Sequence, residues 1–303
     1  MDTSATGPMQ YVYDFARLDR VPDGSTSLQV TAKRLLSGPD LARGKSSTVG
    51  AVLTGERIVC TLGCQSRGTG AKAHSHPNEQ FNYILRGAMM SDIEGDRVFA
   101  LPGTILHQPG SVVHTGLACP DEDLHFLALK DTRSGIVGPP VDGRYDGPNC
   151  FPGFGSRVDE PPVTTAQAMA EAKRLPPGPG RRYVHPMFDA ALPDPGAPAG
   201  AALRAIEQGL PAGVSGRRLS GERLEVCALQ LERGSALAYA QHPGERFVFV
   251  VAGRLRARLD GAGEFEVPPL QLLHVPAGVG RTLATPEGAR ILIAQSGAEP
   301  FAP

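Results

Sequence analysis

Apolar and polar positions alternate along several short segments of the chain. The clearest examples are FNYILRGAMMSDI, which begins at Phe81, and LHFLALKD, which begins at Leu124. Alternation with a period of two is typical of strands that bury one face. Turn-forming runs such as EGDR, LPGT, QPGS and ACPDED separate these segments. The pattern predicts an all-β chain of short strands joined by tight turns, arranged as a sandwich or a barrel.

One segment has the character of a helix instead. In TTAQAMAEAKRL, Thr164 and Gln167 have the spacing of a capping box ahead of an alanine-rich run. The flanking stretches 135–163 and 176–200 are rich in proline and glycine, as in GPPVDG and LPPGPG. The sequence therefore predicts a connector on the surface that carries one short helix near residues 165–175.

The strand-rich regions on either side of the connector repeat each other. HPNEQFNYILRG from His76 matches HPGERFVFVVAG from His242. LHQPGSVVHTG from Leu106 matches LHVPAGVGRTL from Leu273 once a slip of one residue is allowed. Two copies of one β-unit are therefore present. We predict an N-terminal arm at 1–45, a first domain at 46–134, the connector at 135–205 and a second domain at 206–303.

Composition narrows the classes of partner. The chain has 303 residues, 41% of them hydrophobic, with a net charge of −1 and a pI near 6.7. This balance provides no excess of basic residues for binding nucleic acid. The sequence contains no run of eighteen apolar residues, so it predicts no membrane-spanning helix. Five cysteines without CxxC pairs favour a reducing compartment. We expect a cytoplasmic protein with a small-molecule substrate, and a homodimer is compatible with these features.

The segment AHSHPNEQFNYILRG, residues 73–87, concentrates residues that bind metals. In a strand, His74, His76 and Gln80 share one face, whereas Glu79 turns to the other. His114 lies on a later predicted strand. Neutral imidazoles are good ligands for iron, zinc, nickel, copper or manganese, and three of them leave coordination positions open. The sequence predicts a metal site in the first copy.

These residues give the chain its resemblance to a known family. Gly70, His74, His76, Gln80 and Gly87 match the first motif of the cupin superfamily, and QPGSVVHTG, with His114, loosely matches the second. With the repeat, the chain resembles a bicupin over roughly residues 50–130 and 220–295. The resemblance implies two tandem jelly-roll β-barrels and one divalent metal ion per chain. Cupins carry many different reactions, so the fold alone does not define the chemistry.

Two residues compete for the position of fourth ligand. The family more commonly has a glutamate there, and this chain has Gln80, with Glu79 one position earlier. Strand parity favours Gln80, which would leave the ion its full charge. A bulge that turned Glu79 inward would instead give three histidines and one glutamate, as in oxidative cupins.

Other polar residues each have a functional and a structural interpretation. Asn82 continues the parity of Gln80 and is a candidate for orienting substrate, although a structural hydrogen bond is an equal alternative. His125 is a candidate proton shuttle if it faces inward. Glu79 recurs as Glu245, which favours a structural hydrogen bond or ion pair. His107 recurs as His274, so a structural role is expected there too.

The second copy loses the predicted ligands. His74 is replaced by Ala240, Gln80 by Arg246 and His114 by Arg281, whereas His242 retains the histidine of His76. We therefore expect metal in the first barrel only. His242, Arg246 and Arg281 are candidates for a pocket that binds a carboxylate or phosphate. Internal pairing of the arginines with Glu245 or Asp260 is the alternative.

Three functions are compatible with the sequence. The first is a mononuclear metal-dependent enzyme acting on a small oxygenated metabolite as a dioxygenase, with Fe2+ as the first choice of metal and Zn2+, Ni2+ or Mn2+ as others. The second is a non-redox hydrolase, isomerase or lyase that opens a ring in a sugar-acid-like substrate, which Gln80 favours because similar runs occur in cupins of that class. The third is a non-catalytic ligand-binding cupin.

Overall fold

Antiparallel strands make up most of the described chain. The structure is a computed structural model, and the described residues are 9–20, 30–35, 46–133, 163–174, 183–188, 202–206, 209–239 and 241–296. They form 22 strands, one α-helix and one short 3₁₀ helix, Phe15–Arg20. The predicted all-β class and the helix in the connector are therefore confirmed.

The strands follow one another in the order expected of two repeated units. Those up to the helix are β1 Val12–Asp14, β2 Thr31–Leu35, β3 Val49–Thr54, β4 Ile58–Gln65, β5 Gly70–His74, β6 Gln80–Arg86, β7 Met89–Ile93, β8 Asp96–Ala100, β9 Thr104–Gln108, β10 His114–Ala118 and β11 Leu124–Asp131. After helix α1, Thr165–Arg174, come β12 Val184–Pro186, β13 Ala202–Ala205, β14 Val214–Ser220, β15 Leu224–Leu231, β16 Ala236–Tyr239, β17 Arg246–Gly253, β18 Leu255–Leu259, β19 Gly263–Val267, β20 Gln271–Val275, β21 Arg281–Ala284 and β22 Ala289–Ser296.

Each barrel consists of a seven-stranded and a four-stranded sheet. The first barrel has the orders β12-β9-β6-β11-β4-β3-β2 and β5-β10-β7-β8. The second has β1-β20-β17-β22-β15-β14-β13 and β16-β21-β18-β19. The arm therefore adds β1 to the second barrel, and the connector adds β12 to the first. Both segments therefore contribute strands to the sheets, and the connector also links the two domains.

The two large sheets share one apolar core. Their facing side chains include Leu53, Phe81 and Leu127 from the first barrel and Phe247 and Leu292 from the second, all almost fully buried. Strands of this kind bury both faces, one against the other barrel and one toward the barrel interior. The continuous core explains why β6 and β17 are apolar on most positions.

Helix α1 packs on the outside of the small sheet of the first barrel. Its Ala168 and Ala172 lie against an apolar cluster that includes Met90 and Phe99. The predicted capping box forms, because the Thr164 N–H donates to Gln167 Oε1 at 2.8 Å and the Gln167 N–H donates to Thr164 Oγ1 at 3.3 Å. Among the described residues, no helix has the length and apolar character needed to cross a membrane.

Two buried glutamates join the barrels in a reciprocal arrangement. Glu79 of the first barrel accepts hydrogen bonds from the backbone N–H groups of residues 222–224 of the second, at 2.9, 2.7 and 2.7 Å. Glu245 of the second barrel accepts from those of residues 56–58 of the first, at 3.0, 2.7 and 2.8 Å. The repeat in the sequence therefore becomes an approximate two-fold symmetry at the interface.

Each glutamate also contacts a histidine of its own barrel. His107 Nε2 lies 3.3 Å from Glu79 Oε2, and His274 Nε2 lies 3.1 Å from Glu245 Oε2. All four side chains are at most 2% exposed. A buried carboxylate needs several donors to offset its lost hydration, and these residues supply them. Structural roles for both pairs agree with their recurrence in the sequence.

Candidate metal centre

Three histidines converge at one end of the first barrel. His74 ends β5 and His114 begins β10, and the two residues are direct partners in the antiparallel register. His76 follows two residues after His74. The ring centroids are 4.5 to 5.5 Å apart, and one ligand atom from each ring lies within 4.8 Å of the others. All three side chains are at most 5% exposed.

Backbone carbonyls orient two of these imidazoles. His76 Nδ1 lies 2.7 Å from the carbonyl oxygen of Asn78, and His114 Nδ1 lies 2.9 Å from that of Val112. The Nδ1–H therefore donates in each ring, which leaves Nε2 with a lone pair. His114 Nε2 is buried without a hydrogen-bond partner. An unpartnered lone pair of this kind is what a metal ligand requires.

The electrostatics of the cluster keep the rings of His76 and His114 neutral. Burial, followed by the charge of Lys130, lowers the pKa of His76 to about 3. Burial, followed by the neighbouring histidines, also holds the pKa of His114 well below its ordinary value. Neutral imidazoles are the form that binds a metal ion. The donor set therefore fits a divalent metal, and it is the only such group of three or more candidate ligands in the part of the chain that the structure describes.

A chain of side-chain amides sets the orientation of Gln80. Gln108 Nε2 lies 3.4 Å from the backbone carbonyl of Thr115, and its Oε1 accepts from Asn82 Nδ2 at 3.0 Å. Asn82 Oδ1 in turn accepts from Gln80 Nε2 at 2.5 Å. The NH₂ group of each amide therefore donates to the next carbonyl oxygen in the chain. The carbonyl oxygen of Gln80, at the end of the chain, is left to accept from or bind another group. Gln80, Asn82 and two of the histidines line one cavity.

Glu79 does not take part in this cluster. Its carboxylate is directed at the second barrel, where it accepts the three backbone N–H groups of residues 222–224. The arrangement with three histidines and an inward-facing glutamate is therefore not the one that the structure has. Strand parity, and not a bulge, decides the direction of Glu79.

Lys130 is a site residue that the sequence analysis missed. It lies on β11 directly opposite Gln80, and its Nζ is 3.2 Å from His76 Nε2. Burial lowers the pKa of this lysine to about 7. A lysine on an otherwise apolar strand, with the parity of inward-facing Ala128, is the signal that could have identified it. Lys130 brings an amine to the edge of a cavity that has no carboxylate in its lining.

The cavity beside the histidines is small and polar on one side. About 60 Å³ of it is open to the centre of a water-sized sphere, so several water molecules fit beside the protein. Ser46, Thr48, Thr61 and Gln65 form the polar wall. Gln65 donates from Nε2 to Thr48 Oγ1 at 3.0 Å, and its Oε1 is buried without a partner. That oxygen is available to accept a hydrogen bond from a ligand.

The structure corrects the prediction for His125. This residue lines a different cavity, together with Arg86, Phe188 and Arg290, and its Nε2 lies 3.9 Å from Cys64 Sγ. The register of β11 and β6 shifts between His125 and Phe126, and Phe126 is the residue that lines the metal cavity. His125 is therefore directed away from the three histidines, and its role as a proton shuttle at this site has no geometric basis.

In the second barrel, two arginines stand where the first barrel has ligands. Arg281 is the strand partner of Tyr239, and the equivalent pair in the first barrel is His114 and His74. Arg246 is the strand partner of Gln295, and the equivalent pair in the first barrel is Gln80 and Lys130. Ala240 lies outside the described residues. Arg281 makes no ion pair with Glu245 or Asp260, since its guanidinium nitrogens have no hydrogen-bond partner, and Arg246 Nε donates to Gln295. Internal pairing, the alternative expected from the sequence, is therefore absent for Arg281.

Comparisons with known proteins agree with this architecture. A family model described as a cupin domain matches residues 49–130. No curated protein sequence matches the chain. Among solved structures, AerE from Microcystis aeruginosa is 12% identical, with coverage of 88% of this chain and 97% of that one and a TM-score of 0.56.

Oxalate decarboxylase OxdC from Bacillus subtilis is similar in fold over nearly the whole chain. A mutant of OxdC is 12% identical over 99% of this chain and 80% of that one, with a TM-score of 0.62. A further OxdC structure, described for its Mn(II) centres, is 13% identical with the same coverage and TM-score. At such identities the likeness establishes the fold and not the reaction. Residues 49–130 therefore match the model of a cupin domain, and the described chain has the fold of two tandem cupin-like barrels.

Proposed function

We propose that the protein is a mononuclear metal-dependent enzyme that performs non-redox chemistry on a small oxygenated metabolite with a negative charge. The observation that carries this proposal is the charge of the cavity. Its lining contains histidines, amides and Lys130 but no aspartate or glutamate. With a divalent ion held by His74, His76 and His114, the site would be strongly positive and would attract an anionic oxygen.

The metal would supply Lewis-acid polarisation of a carbonyl or hydroxyl oxygen. The residues of the chain have separate roles around that function. Lys130 Nζ lies 3.2 Å from His76 Nε2, and once the ion takes that ring nitrogen the amine would donate a hydrogen bond to a developing negative oxygen and stabilise its charge. Gln65 Oε1 accepts a hydrogen bond from a substrate hydroxyl. The amide chain from Gln108 to Gln80 holds the carbonyl oxygen of Gln80 toward the site as the proposed fourth ligand.

The substrate class follows from the polarity of the cavity. Lys130 offers an amine to it, and the polar wall offers the free acceptor of Gln65. We infer a small hydroxy or keto acid. Mn2+ is a reasonable metal for this proposal, because the structural neighbour OxdC has Mn(II) centres.

A dioxygenase with Fe2+ is the second candidate function. It is favoured by the three-histidine set itself, because three neutral ligands leave open positions at which a substrate and dioxygen could both bind. It is disfavoured by the orientation of Glu79, since the carboxylate that would stabilise a ferric ion is engaged at the interface between the barrels. The two candidates differ in whether dioxygen is needed.

The experiment that tests both uses the purified chain loaded separately with Mn2+, Fe2+, Zn2+ or Ni2+. Each form is incubated with a panel of small hydroxy and keto acids under nitrogen and under air, with products identified by mass spectrometry. We expect metal-dependent conversion of an acid under nitrogen. Conversion that needs air and consumes dioxygen would contradict the first candidate in favour of the second. Binding of acids without conversion under any condition would contradict both.

Lys130→Gln is the matched control for the role of the cation. Gln295 occupies the equivalent position in the second barrel, so glutamine is compatible with this strand geometry. We expect the variant to keep its metal and to lose conversion of the acid by about tenfold to a thousandfold, as for one lost donor to a developing negative oxygen. Unchanged conversion would show that Lys130 has no part in the reaction.

A further inference from the structure

The second barrel has its own polar cluster at the position of the lost metal site. Arg246, Arg281 and Tyr239 occupy strand positions equivalent to those of ligand residues in the first barrel. Other positions that are polar around the first cavity are apolar here. In the first barrel Gln80 pairs with Gln108. In the second barrel the equivalent Arg246 pairs with Val275. The side chain of Val275 cannot accept a hydrogen bond from the neighbouring Arg246.

Burial makes these arginines unusual. Arg281 is 3% exposed and Arg246 is 7% exposed. The Nε, Nη1 and Nη2 atoms of Arg281 have no hydrogen-bond partner, and neither does Nη1 of Arg246. A buried guanidinium without an acceptor costs far more than an exposed one, because its hydration is lost without replacement. Burial, followed by the charge of Arg246, lowers the pKa of Arg281 to about 9.

Surrounding side chains hold the two guanidinium groups in place. The ring of Tyr239 lies 4.3 Å from Arg281 Cζ and 5.4 Å from Arg246 Cζ. Arg246 Nε donates to Gln295 Oε1 at 3.1 Å, and Gln295 Nε2 donates to Glu225 at 2.6 Å. The ring of Tyr239 and the hydrogen bonds through Gln295 therefore fix the positions of the guanidinium nitrogens that have no partner. Such preorganisation is typical of a binding site.

The nearest carboxylate does not neutralise the cluster. Glu225 accepts from Gln295, from Ser220 Oγ at 3.0 Å and from Arg218 Nε at 3.4 Å. Its charge is therefore balanced by Arg218, and the charges of Arg246 and Arg281 remain in excess. An anion with one or two negative charges would balance the two arginines and accept hydrogen bonds from their unpartnered nitrogens.

We propose that the second barrel is a binding site for a small carboxylate, with Arg281 as a two-nitrogen fork and Arg246 Nη1 as an additional donor. A planar carboxylate matches the edge of a guanidinium whose face is covered by an aromatic ring, as Tyr239 covers Arg281. His242 lies at the margin of this site, with its Nδ1 3.0 Å from the carbonyl oxygen of Gly244. The site is independent of the metal centre and needs no metal.

The test measures binding of acetate, oxalate and inorganic phosphate, with chloride as the ionic-strength control, by calorimetry and by the shift in melting temperature. We expect saturable binding of a carboxylate at one site in the wild type and in His114→Ala, which lacks a metal ligand. Arg281→Gln and Arg246→Gln are expected to weaken that binding by at least about 30-fold, as for loss of one partner in a buried charge pair. Tighter binding of phosphate than of either carboxylate would contradict the assignment of ligand class.

One further variant and one further measurement complete the test. Arg256→Gln removes an exposed arginine of the same barrel, which is paired with Glu266, and should leave carboxylate binding unchanged. Without carboxylate, Arg281→Gln should melt at a higher temperature than the wild type, because an unpaired buried charge is removed. Wild-type protein without saturable carboxylate binding, or with binding that persists in both Arg281→Gln and Arg246→Gln, would overturn the proposal. Binding that is lost in His114→Ala and retained in Arg281→Gln would assign the carboxylate to the metal centre and would also overturn it.

Discussion

Replacement of Glu79 by alanine should destabilise the whole chain and not only the first barrel. The carboxylate accepts three backbone N–H groups of residues 222–224 and contacts His107. Each hydrogen bond to a charged group contributes about 1.5 to 3 kcal/mol, although the contributions of one acceptor are not additive. In the variant, water can reach the backbone N–H of Glu222 because this residue is exposed. It cannot readily reach that of Leu224, which is 2% exposed. We expect a loss of about 3 to 5 kcal/mol in the free energy of unfolding, the range for breaking a buried charged pair.

The assay is chemical denaturation followed by circular dichroism, with Glu245→Ala as the matched variant. Glu245 has the same contacts in the reverse direction, so both variants should lose similar amounts. Glu222→Ala is the control, because the side chain of Glu222 is 62% exposed and only its backbone takes part. A loss below about 1 kcal/mol for Glu79→Ala, the level of an ordinary exposed ion pair, would refute the reasoning.

The same contact predicts a dependence of stability on acid. Although burial alone would raise the pKa of Glu79, His107 and the backbone amides of Arg223 and Leu224 hold it below its ordinary value of 4.5. A carboxylate with a lowered pKa stabilises the folded state above its unfolded pKa, and this contribution is lost as the pH falls through the folded value. The difference in stability between wild type and Glu79→Gln should therefore be constant above about pH 5 and shrink below pH 4.5.

Three other variants test the interface and the site. Gly221→Ala should destabilise the chain by about 1 to 3 kcal/mol in denaturation experiments, because its Cβ would overlap the carboxylate of Glu79; unchanged stability would contradict the close contact. His76→Ala should lose its metal in elemental analysis and keep its circular dichroism spectrum, because the barrel core does not depend on the ion; an unfolded chain would make the site structural. Gln80→Ala should weaken metal binding by about tenfold to a hundredfold in competition with a chelator, and wild-type affinity would remove Gln80 from the set of ligands.

Much of the architecture was predictable because the sequence repeats itself. The alternation in FNYILRGAMMSDI and its match with the segment after His242 predict two similar barrels, and the sheets have that arrangement. The exchange of β1 and β12 between the barrels was not predicted. Edge pairing of short strands depends on which open sheet edge lies nearby, and local pattern contains no such information.

The site was predictable to the extent that strand parity controls it. Parity correctly separated Gln80 from Glu79, since neighbours in a strand point to opposite faces. It also accounts for the direction of His125, because Phe126, Ala128 and Lys130, which have the opposite parity, line the cavity. Lys130 was missed because its place in the cavity depends on pairing with a strand fifty residues away in sequence. Motifs identify residues that are close along the chain, whereas the rest of a site comes from tertiary pairing.

The measurement that tests the central claim most directly is the metal content of the chain, purified without added metal or chelator, beside that of His114→Ala. The three histidines form the single candidate cluster in the described residues, and the equivalent positions of the second barrel hold Arg246 and Arg281. We predict one divalent ion per wild-type chain and none in the variant. Two tightly bound ions per chain, or one ion that persists in His114→Ala, would contradict the account.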